Sequence, residues 1–198
     1  MVTSSETPVT AAPETKTISP PTAPSSGSWA KPLILMAVVL FLVGLDQYTK
    51  HLVHERFRLG ESIPILPEFF SLTYIRNTGA AFGFLAHADP AFRVPFFIAV
   101  PLLALGAIFY VFRKLPPSDW RLSSALALLV GGAVGNLIDR VRYGWVIDFL
   151  DFHWHNQAHF PAFNVADMAI CVGVGILMID FLIHPGEEEG TSNVSPPV

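Results

Sequence analysis

Long apolar stretches separated by polar connections dominate the chain. Three of them carry almost no charge and cover residues 94–112, 122–138 and 168–183. A helix that crosses a membrane needs roughly 20 residues at about 1.5 Å of rise each. A shorter run, 33–45, reaches that length only if its helix continues to about residue 53, which takes Asp46 into the membrane region. Because no small-residue cleavage site follows this run, we interpret it as a first span and not as a removed signal peptide.

The pattern predicts an all-α membrane protein with four transmembrane helices and a small sheet at the membrane surface. Spans are expected at about 32–53, 94–112, 122–138 and 167–183, within a membrane domain of residues 32–183. Phe70, Leu72 and Tyr74 alternate with Ser71, Thr73 and Ile75, which predicts a short strand. The Pro-rich segment 1–31 and the acidic segment 184–198 are predicted to be disordered.

Composition narrows the class of protein further. Hydrophobic residues make up 52% and charged residues 14% of the 198 residues, whereas soluble domains average roughly 25% charged residues, which argues against an ordinary soluble enzyme. The net charge of -4, without a basic cluster, predicts no nucleic-acid partner. The single cysteine, Cys171, excludes an intrachain disulfide and lies in an apolar run, where we expect it to be buried.

Charge in the connections bears on orientation. Four spans place both termini on one side of the membrane. The short connection 113–121 carries Arg113, Lys114 and Arg121, which favours a cytoplasmic position for it and for the termini. The two long connections then face outward, although their own arginines weaken this inference.

Polar residues gather where the predicted spans end. They are Asp46, Asn77, Asn136, Asp139, Asp148, Asn164 and Asp167, with Asp151 as a further carboxylate near Asp148. Several have structural explanations. Asp46 and Lys50 are spaced i,i+4 and can neutralise each other on one helix face. Asn164 can cap the fourth span, with Asp167 at the third helical position.

The end of the third span also has structural explanations. Gly131 and Gly135 form a Gly-x-x-x-Gly spacing that predicts close helix packing. Asn136 and Arg140 share a helix face and are expected to form a polar lock, while Asp139 is interpreted as structural.

Asp148 is harder to explain structurally, because it lies among apolar residues without a neighbouring Lys or Arg. Desolvation disfavours its charged form. If Asp167 approaches it, the two carboxyl groups share one proton. One carboxylate then activates water while the protonated partner polarises a carbonyl group, which is the chemistry of aspartic proteases.

Other chemistry has weaker support. His153, His155 and His159 have a spacing that could suit a metal, but no Cys or His-Glu-x-x-His accompanies them, so no metal and no cofactor are predicted. Gly-x-Ser-x-Gly is absent. A small proton-coupled transporter and a membrane assembly scaffold stay open as alternatives, although carboxylates at helix ends fit a transporter poorly.

Five segments together resemble the lipoprotein signal peptidase family, signal peptidase II, over roughly residues 33–183. They are Asp46-Gln47-x-Thr49-Lys50, Asn77-Thr78-Gly79-Ala80-Ala81-Phe82-Gly83, Gly135-Asn136-Leu137-Ile138-Asp139-Arg140, Val146-Ile147-Asp148-Phe149 and Phe163-Asn164-Val165-Ala166-Asp167. Each alone is weak, but five in this order are highly specific.

The resemblance implies an aspartic endopeptidase of the bacterial inner membrane, with cytoplasmic termini and a β-structured cradle on the outer, periplasmic face. It implies cleavage of diacylglyceryl-modified prolipoproteins immediately before the lipidated cysteine, by a monomer in contact with membrane lipids. Asp148 and Asp167 correspond to the family's catalytic aspartates. The family's supporting polar residues, which position substrate or hold the structure, correspond to Asp46, Lys50, Asn77, Asn136, Asp139, Arg140 and Asn164.

Overall fold

Four long helices and a four-stranded antiparallel sheet make up the part of the chain that the structure, a computed structural model, describes: residues 30–79, 83–116, 118–155 and 158–183. The helices are α1 (Ala30–Arg56), α2 (Pro90–Lys114), α3 (Trp120–Tyr143) and α4 (Val165–Ile183). The strands are β1 (Ser62–Leu66), β2 (Phe70–Asn77), β3 (Val146–Trp154) and β4 (Ala158–His159).

All four helices are long and apolar enough to cross a membrane. The residues that cap α2 and α3 lie outside the apolar runs, so these helices extend beyond the runs. Asp89 caps α2 by accepting a hydrogen bond from Ala91 N (2.7 Å), and Asp119 caps α3 through Leu122 N (3.0 Å). Gly144 ends α3 in the left-handed region, at φ 78°. The helices are therefore longer than the predicted spans, which they contain.

Helix α3 is the most buried of the four and packs against α1, α2 and α4. Its glycines make this packing possible, as predicted. A Cβ at Gly132 would collide with the backbone oxygen of Ala166 in α4. A Cβ at Gly135 would lie 2.6 Å from Asp46 Oδ2 in α1. Small residues thus bring three helices together at the end of α3.

The sheet has the strand order β1-β2-β3-β4. The alternation at 70–74 lies in β2, which confirms the predicted strand. The register between β2 and β3 shifts between Leu72 and Ile75, after which Ile75 pairs with Asp148. Strand β3, which carries Asp148, was not predicted because its run of apolar residues does not alternate clearly with polar ones.

One predicted boundary differs from the structure, and two predicted segments lie mostly or entirely outside the described residues. Helix α1 begins at Ala30, two residues inside the segment 1–31 predicted to be disordered. Residues 1–29 and the predicted acidic tail 184–198 lie outside the described residues, as do Ala80, Ala81 and Phe82.

Candidate active site

Asp167 is held at the start of α4 by reciprocal capping bonds. The backbone N of Asp167 donates to Asn164 Oδ1 (3.0 Å), and the backbone N of Asn164 donates to Asp167 Oδ2 (3.2 Å). Asn164 is fully buried. The cap predicted from the sequence is therefore formed, and it directs a carboxylate across the N-terminus of α4.

Asp148 is carried to the same place by β3. Its side chain is buried and accepts hydrogen bonds from two amides, Asn77 Nδ2 at 2.9 Å and Asn164 Nδ2 at 2.7 Å. Asn77 comes from the end of β2 and Asn164 from the cap of α4. The side chain of Asp148 is thus fixed jointly by the sheet and the helical bundle.

Two asparagine side chains connect the carboxylates. Asn136 Nδ2 in α3 donates to Asp167 Oδ1 (2.7 Å), while Asn164 Nδ2, which binds Asp148, also donates to Asn136 Oδ1 (3.1 Å). Asp148 and Asp167 therefore belong to one hydrogen-bond network, although they are far apart in the sequence.

The environment of Asp148 changes its acidity. Burial, together with the nearby carboxylate of Asp167, raises the pKa of this carboxyl group to about 7. The hydrogen bonds from Asn77 and Asn164 favour the ionised form and oppose this rise. Asp148 can therefore hold a proton near neutral pH, which an exposed aspartate does not.

Both carboxylates face one cavity of about 690 Å³. Its polar wall includes Asn77, Asn136 and Arg140, and its apolar wall includes Phe160 and Phe163 from the segment before α4. A cavity of this size accommodates a short peptide segment together with a water molecule. The two carboxyl groups therefore border one common space.

A cluster of three charged residues, centred on Lys50, lies beside this network. Lys50 Nζ is 2.9 Å from Asp46 Oδ2, the i,i+4 partner predicted, and 3.0 Å from Asp139 Oδ2. It also donates to Asn136 Oδ1 at 2.8 Å. Lys50, Asp46 and Asp139 are all buried. We call these three residues the lysine cluster.

The lysine cluster anchors the elements that carry the two cavity carboxylates. Asp46 Oδ1 accepts from Ala166 N (3.0 Å) in the first turn of α4, next to Asp167. Asp139 Oδ2 accepts from Ile147 N (3.0 Å) in β3, next to Asp148. Each anchoring residue thus fixes the backbone immediately before a cavity carboxylate.

Arg140 has a different position from the one predicted. Its Nη2 donates to Gly79 O (2.9 Å), and its guanidinium lies 4.4 Å from the centre of the Phe97 ring. The hydrogen bonds of Asn136 go to Lys50, Asn164 and Asp167, so the predicted lock between Asn136 and Arg140 is wrong. Helix packing turned the two side chains toward different neighbours.

Sequence reasoning missed the role of Gln47 beside the lysine cluster and predicted only close helix packing for Gly135. Gln47 Nε2 donates to Asp139 Oδ1 (2.9 Å) and to Gly135 O (3.1 Å). Gly135 leaves the space that Asp46 occupies. Gln47 stands in the quoted segment beside Asp46, and this position was the one available signal.

Other predicted residues lie elsewhere. His159 Nδ1 is 2.9 Å from Asp151 Oδ1, and His153 Nε2 is 3.0 Å from Ser71 Oγ, all on the sheet and away from the lining of the 690 Å³ cavity. Among the described residues, no three His, Cys, Asp or Glu side chains form a group that could hold a metal ion. Cys171 is exposed, contrary to prediction, because it lines the cavity on a face of α4.

Comparison with known proteins shows the family of this chain. A family model for signal peptidase (SPase) II matches residues 38–183. The lipoprotein signal peptidase of Geobacter sulfurreducens is 54% identical over 149 residues, which cover 75% of this chain and 91% of that protein. The lipoprotein signal peptidase of Syntrophotalea carbinolica is 49% identical over 146 residues, which cover 74% of this chain and 89% of that protein.

The same fold is found in a solved bacterial membrane enzyme, whose structure was determined by the in meso method at 2.3 Å resolution. The TM-score is 0.68 and the sequence identity is 31%, and the match covers 83% of this chain and 94% of that one. The matches to curated relatives favour a peptidase over the transporter and scaffold alternatives. The four apolar helices fit a multi-pass membrane protein. The chain therefore belongs to the signal peptidase II family, the lipoprotein signal peptidases.

Proposed function

We propose that this lipoprotein signal peptidase is an aspartic endopeptidase in which Asp148 and Asp167 activate water. It removes the signal peptide from diacylglyceryl-modified prolipoproteins by cutting immediately before the lipidated cysteine. The observation that carries the proposal is the joining of two carboxylates through Asn136 and Asn164 at the wall of one cavity.

In the proposed reaction Asp167 is ionised, since the N-terminus of α4 stabilises negative charge. It removes a proton from water, whose oxygen attacks the scissile carbonyl carbon. Asp148, protonated because of its raised pKa, donates a hydrogen bond and then its proton to the carbonyl oxygen. Asp167 then passes the proton that it took from water to the cysteine nitrogen, the C–N bond breaks, and one hydroxyl group of the tetrahedral intermediate returns its proton to Asp148. The signal peptide leaves with a new carboxyl group, and the lipidated cysteine keeps a free amino group.

The remaining polar residues divide into two supporting roles. Asn77, Asn136 and Asn164 hold the two carboxylates in place through their amides, and Arg140 presents a cation to the cavity that receives the substrate. The lysine cluster holds the backbone beneath them. The apolar cavity wall on α4 suits a substrate that arrives by lateral diffusion with its acyl chains still among membrane lipids.

The same proposal assigns an orientation. Arg113, Lys114 and Arg121 lie at the α2–α3 end of the bundle, and the cavity carboxylates lie at the opposite end of α3. The excess of cations at the first end favours the cytoplasm. The termini are then cytoplasmic, and the sheet and cavity lie at the outer face of the bacterial inner membrane, where the enzyme acts as a monomer.

Incubation of the detergent-purified protein with a diacylglyceryl-modified precursor peptide tests this function. Mass spectrometry should show a single cut that leaves lipidated cysteine at the new N-terminus, and a chelator should not slow it. The same peptide without the lipid serves as the control and should be cut far more slowly. Cleavage at another bond, or loss of cleavage on chelation, would contradict the proposal.

A further inference from the structure

Two arginines lie close together beside the cavity that Asp148 and Asp167 line. Arg140 in α3 lines this cavity itself, and Arg93 belongs to the first turn of α2. The guanidinium of Arg140 lies 4.4 Å from the centre of the ring of Phe97, which follows Arg93 by about one helical turn. The two guanidinium groups are near enough to repel each other. We call Arg93 and Arg140 the arginine pair.

Hydrogen bonds to the backbone account for only part of the arginine pair. Arg93 Nη1 donates to Ala86 O (2.7 Å), and Arg140 Nη2 donates to Gly79 O (2.9 Å). Two further N–H groups, Arg93 Nε and Arg140 Nη1, are buried and have no hydrogen-bond partner in the part of the chain that the structure describes. A buried donor that lacks an acceptor costs free energy. The pair therefore has unused donors as well as positive charge.

The carboxylates of the described residues leave the arginine pair without a direct partner. Among these residues, neither arginine forms an ion pair. Asp148 and Asp167 attract Arg140 electrostatically, but from a greater distance, on other parts of the same cavity wall. Asp139 attracts it as well, but its carboxylate is already paired with Lys50. Two neighbouring guanidinium groups with unused donors favour the binding of a planar anion such as a carboxylate.

We propose that the arginine pair binds the carboxylate that cleavage creates at the C-terminus of the signal peptide. The inference rests on the proposed function, because hydrolysis in this cavity generates that group. Arg140 Nη1 donates a hydrogen bond to the carboxylate, and Arg93, which does not line the cavity, adds a second positive charge behind Arg140. The scissile peptide bond is neutral, so the arginine pair distinguishes the product from the substrate.

The proposed reaction forms this anion beside two other acidic groups. A C-terminal carboxyl group is ionised above a pH of about 4, and the ionised member of Asp148 and Asp167 repels it. The arginine pair offsets this repulsion, so the signal peptide stays bound after the cut and competes with the next substrate. A phospholipid phosphate is a less suitable anion, because its acyl chains hold it in the membrane, whereas the product carboxylate forms inside the cavity.

Direct binding of two synthetic signal peptides to the full chain tests the proposal. The peptides share one sequence that ends at the residue before the cysteine, and they carry the same N-terminal fluorophore. They differ only in a carboxylate or a carboxamide at the C-terminus. Fluorescence anisotropy in a non-ionic detergent should show about tenfold tighter binding of the carboxylate peptide, as one charge-assisted hydrogen bond predicts. Equal binding of the two peptides, or tighter binding of the carboxamide, would overturn the proposal.

Two variants assign the preference to the arginine pair. Arg140→Gln removes the donor, so Asp148 and Asp167 repel the carboxylate and the preference should disappear or reverse. Arg93→Gln removes only the second charge and should lower the preference a few-fold. An unchanged preference in both variants would show that another group binds the carboxylate. Because the two arginines lie on different helices, failure of one variant to fold leaves the other as a test.

Controls separate this inference from general effects of charge and from the proposed function. Arg142→Gln makes the same change two residues further along α3, at an exposed side chain outside the cavity lining, and should keep the preference. Phosphatidylglycerol added to the micelles should also leave it unchanged. If this lipid abolished the preference, the arginine pair would bind lipid phosphate instead, and the proposal would fail. Binding needs no turnover, so equal affinity for the two peptides with intact cleavage would refute this inference alone.

Discussion

Two acidic pairs lie on either side of Asn136 and differ in what surrounds them. Asp46 and Asp139 flank Lys50, whose ammonium is within 3.0 Å of both. Asp148 and Asp167 accept their hydrogen bonds from amide groups and face a cavity. The first pair has a cation at its centre, and the second pair has neutral donors.

This difference explains how one small domain can contain two neighbouring acidic pairs with different properties. A cation that lies between two carboxylates compensates their charge, so removing the cation from the cluster is costly. Neutral donors orient a carboxylate without cancelling its charge, so a proton becomes the compensating cation. The raised pKa of Asp148 is the measurable sign of the second arrangement.

The largest expected effect comes from replacing either cavity carboxylate. Asp148→Asn or Asp167→Asn should lower kcat by about 10³-fold or more, because general acid–base help is lost, while unfolding temperature changes little. Cleavage of the lipidated precursor and thermal unfolding are measured on the same preparations.

A matched control for this prediction lies on the same strand. Asp151→Asn makes the identical change three residues further along β3, at a carboxylate that hydrogen-bonds with Thr73 and His159 outside the cavity. It should retain cleavage. If Asp148→Asn retained cleavage as well, the assignment of the dyad would fail.

The next largest effect is expected on the stability of the fold and not on kcat. Lys50→Met leaves Asp46 and Asp139 buried without their cation and should destabilise the fold by about 3–5 kcal/mol. Protein abundance in the membrane and unfolding temperature in detergent report the loss. Lys114→Met, an exposed lysine, is the control and should change neither by a measurable amount. Full stability of Lys50→Met with complete loss of turnover would place Lys50 in the reaction instead.

A smaller loss of stability is expected when a side chain fills the space that Gly135 leaves beside Asp46. Gly135→Ala directs a methyl group to within 2.6 Å of Asp46 Oδ2 and should cost about 1–3 kcal/mol of stability. Gly175→Ala, whose added Cβ meets no atom within 4 Å, should have no cost. Equal unfolding temperatures for the two variants would show that Asp46 moves without penalty.

The smallest predicted effect concerns pH. Activity should decline as pH rises through about 7, because Asp148 then loses the proton that it must donate. Asn77→Ala removes a donor to the ionised form, so the pKa rises and the decline should move to higher pH, with kcat about tenfold lower. A pH profile of kcat measures the shift. A profile that moves to lower pH would contradict the role of Asn77.

Local features of the site could be predicted from the sequence. The i,i+4 spacing predicts the Asp46–Lys50 pair, and the Asn164–Asp167 spacing predicts the cap of α4. Both depend on a few consecutive residues and on helical geometry alone. The spans could also be predicted locally. Their apolar runs approach the roughly 20 residues that a membrane-crossing helix needs.

The long-range part of the site could not be predicted from these patterns. Lys50 reaches Asp139 across 89 positions of sequence, and no local spacing indicates that contact. Asp148 lines the cavity and pairs with Ile75 after a shift in the register of β3 on β2 between Leu72 and Ile75. A slip of one residue would turn Asp148 to the other face of the sheet. Only the assembled sheet determines that direction.

The hydrogen bonds of Asn136 have a further consequence for engineered variants. An ammonium can only donate, so Lys50 obliges the oxygen of the Asn136 carboxamide to face it, at 2.8 Å. The amide cannot rotate by 180°, and its NH₂ group is permanently presented to Asp167. An aspartate of the same size at this position would accept a hydrogen bond from Lys50 equally well. Its second oxygen would, however, repel Asp167, so a replacement must reproduce the hydrogen bonds of Asn136 as well as its size.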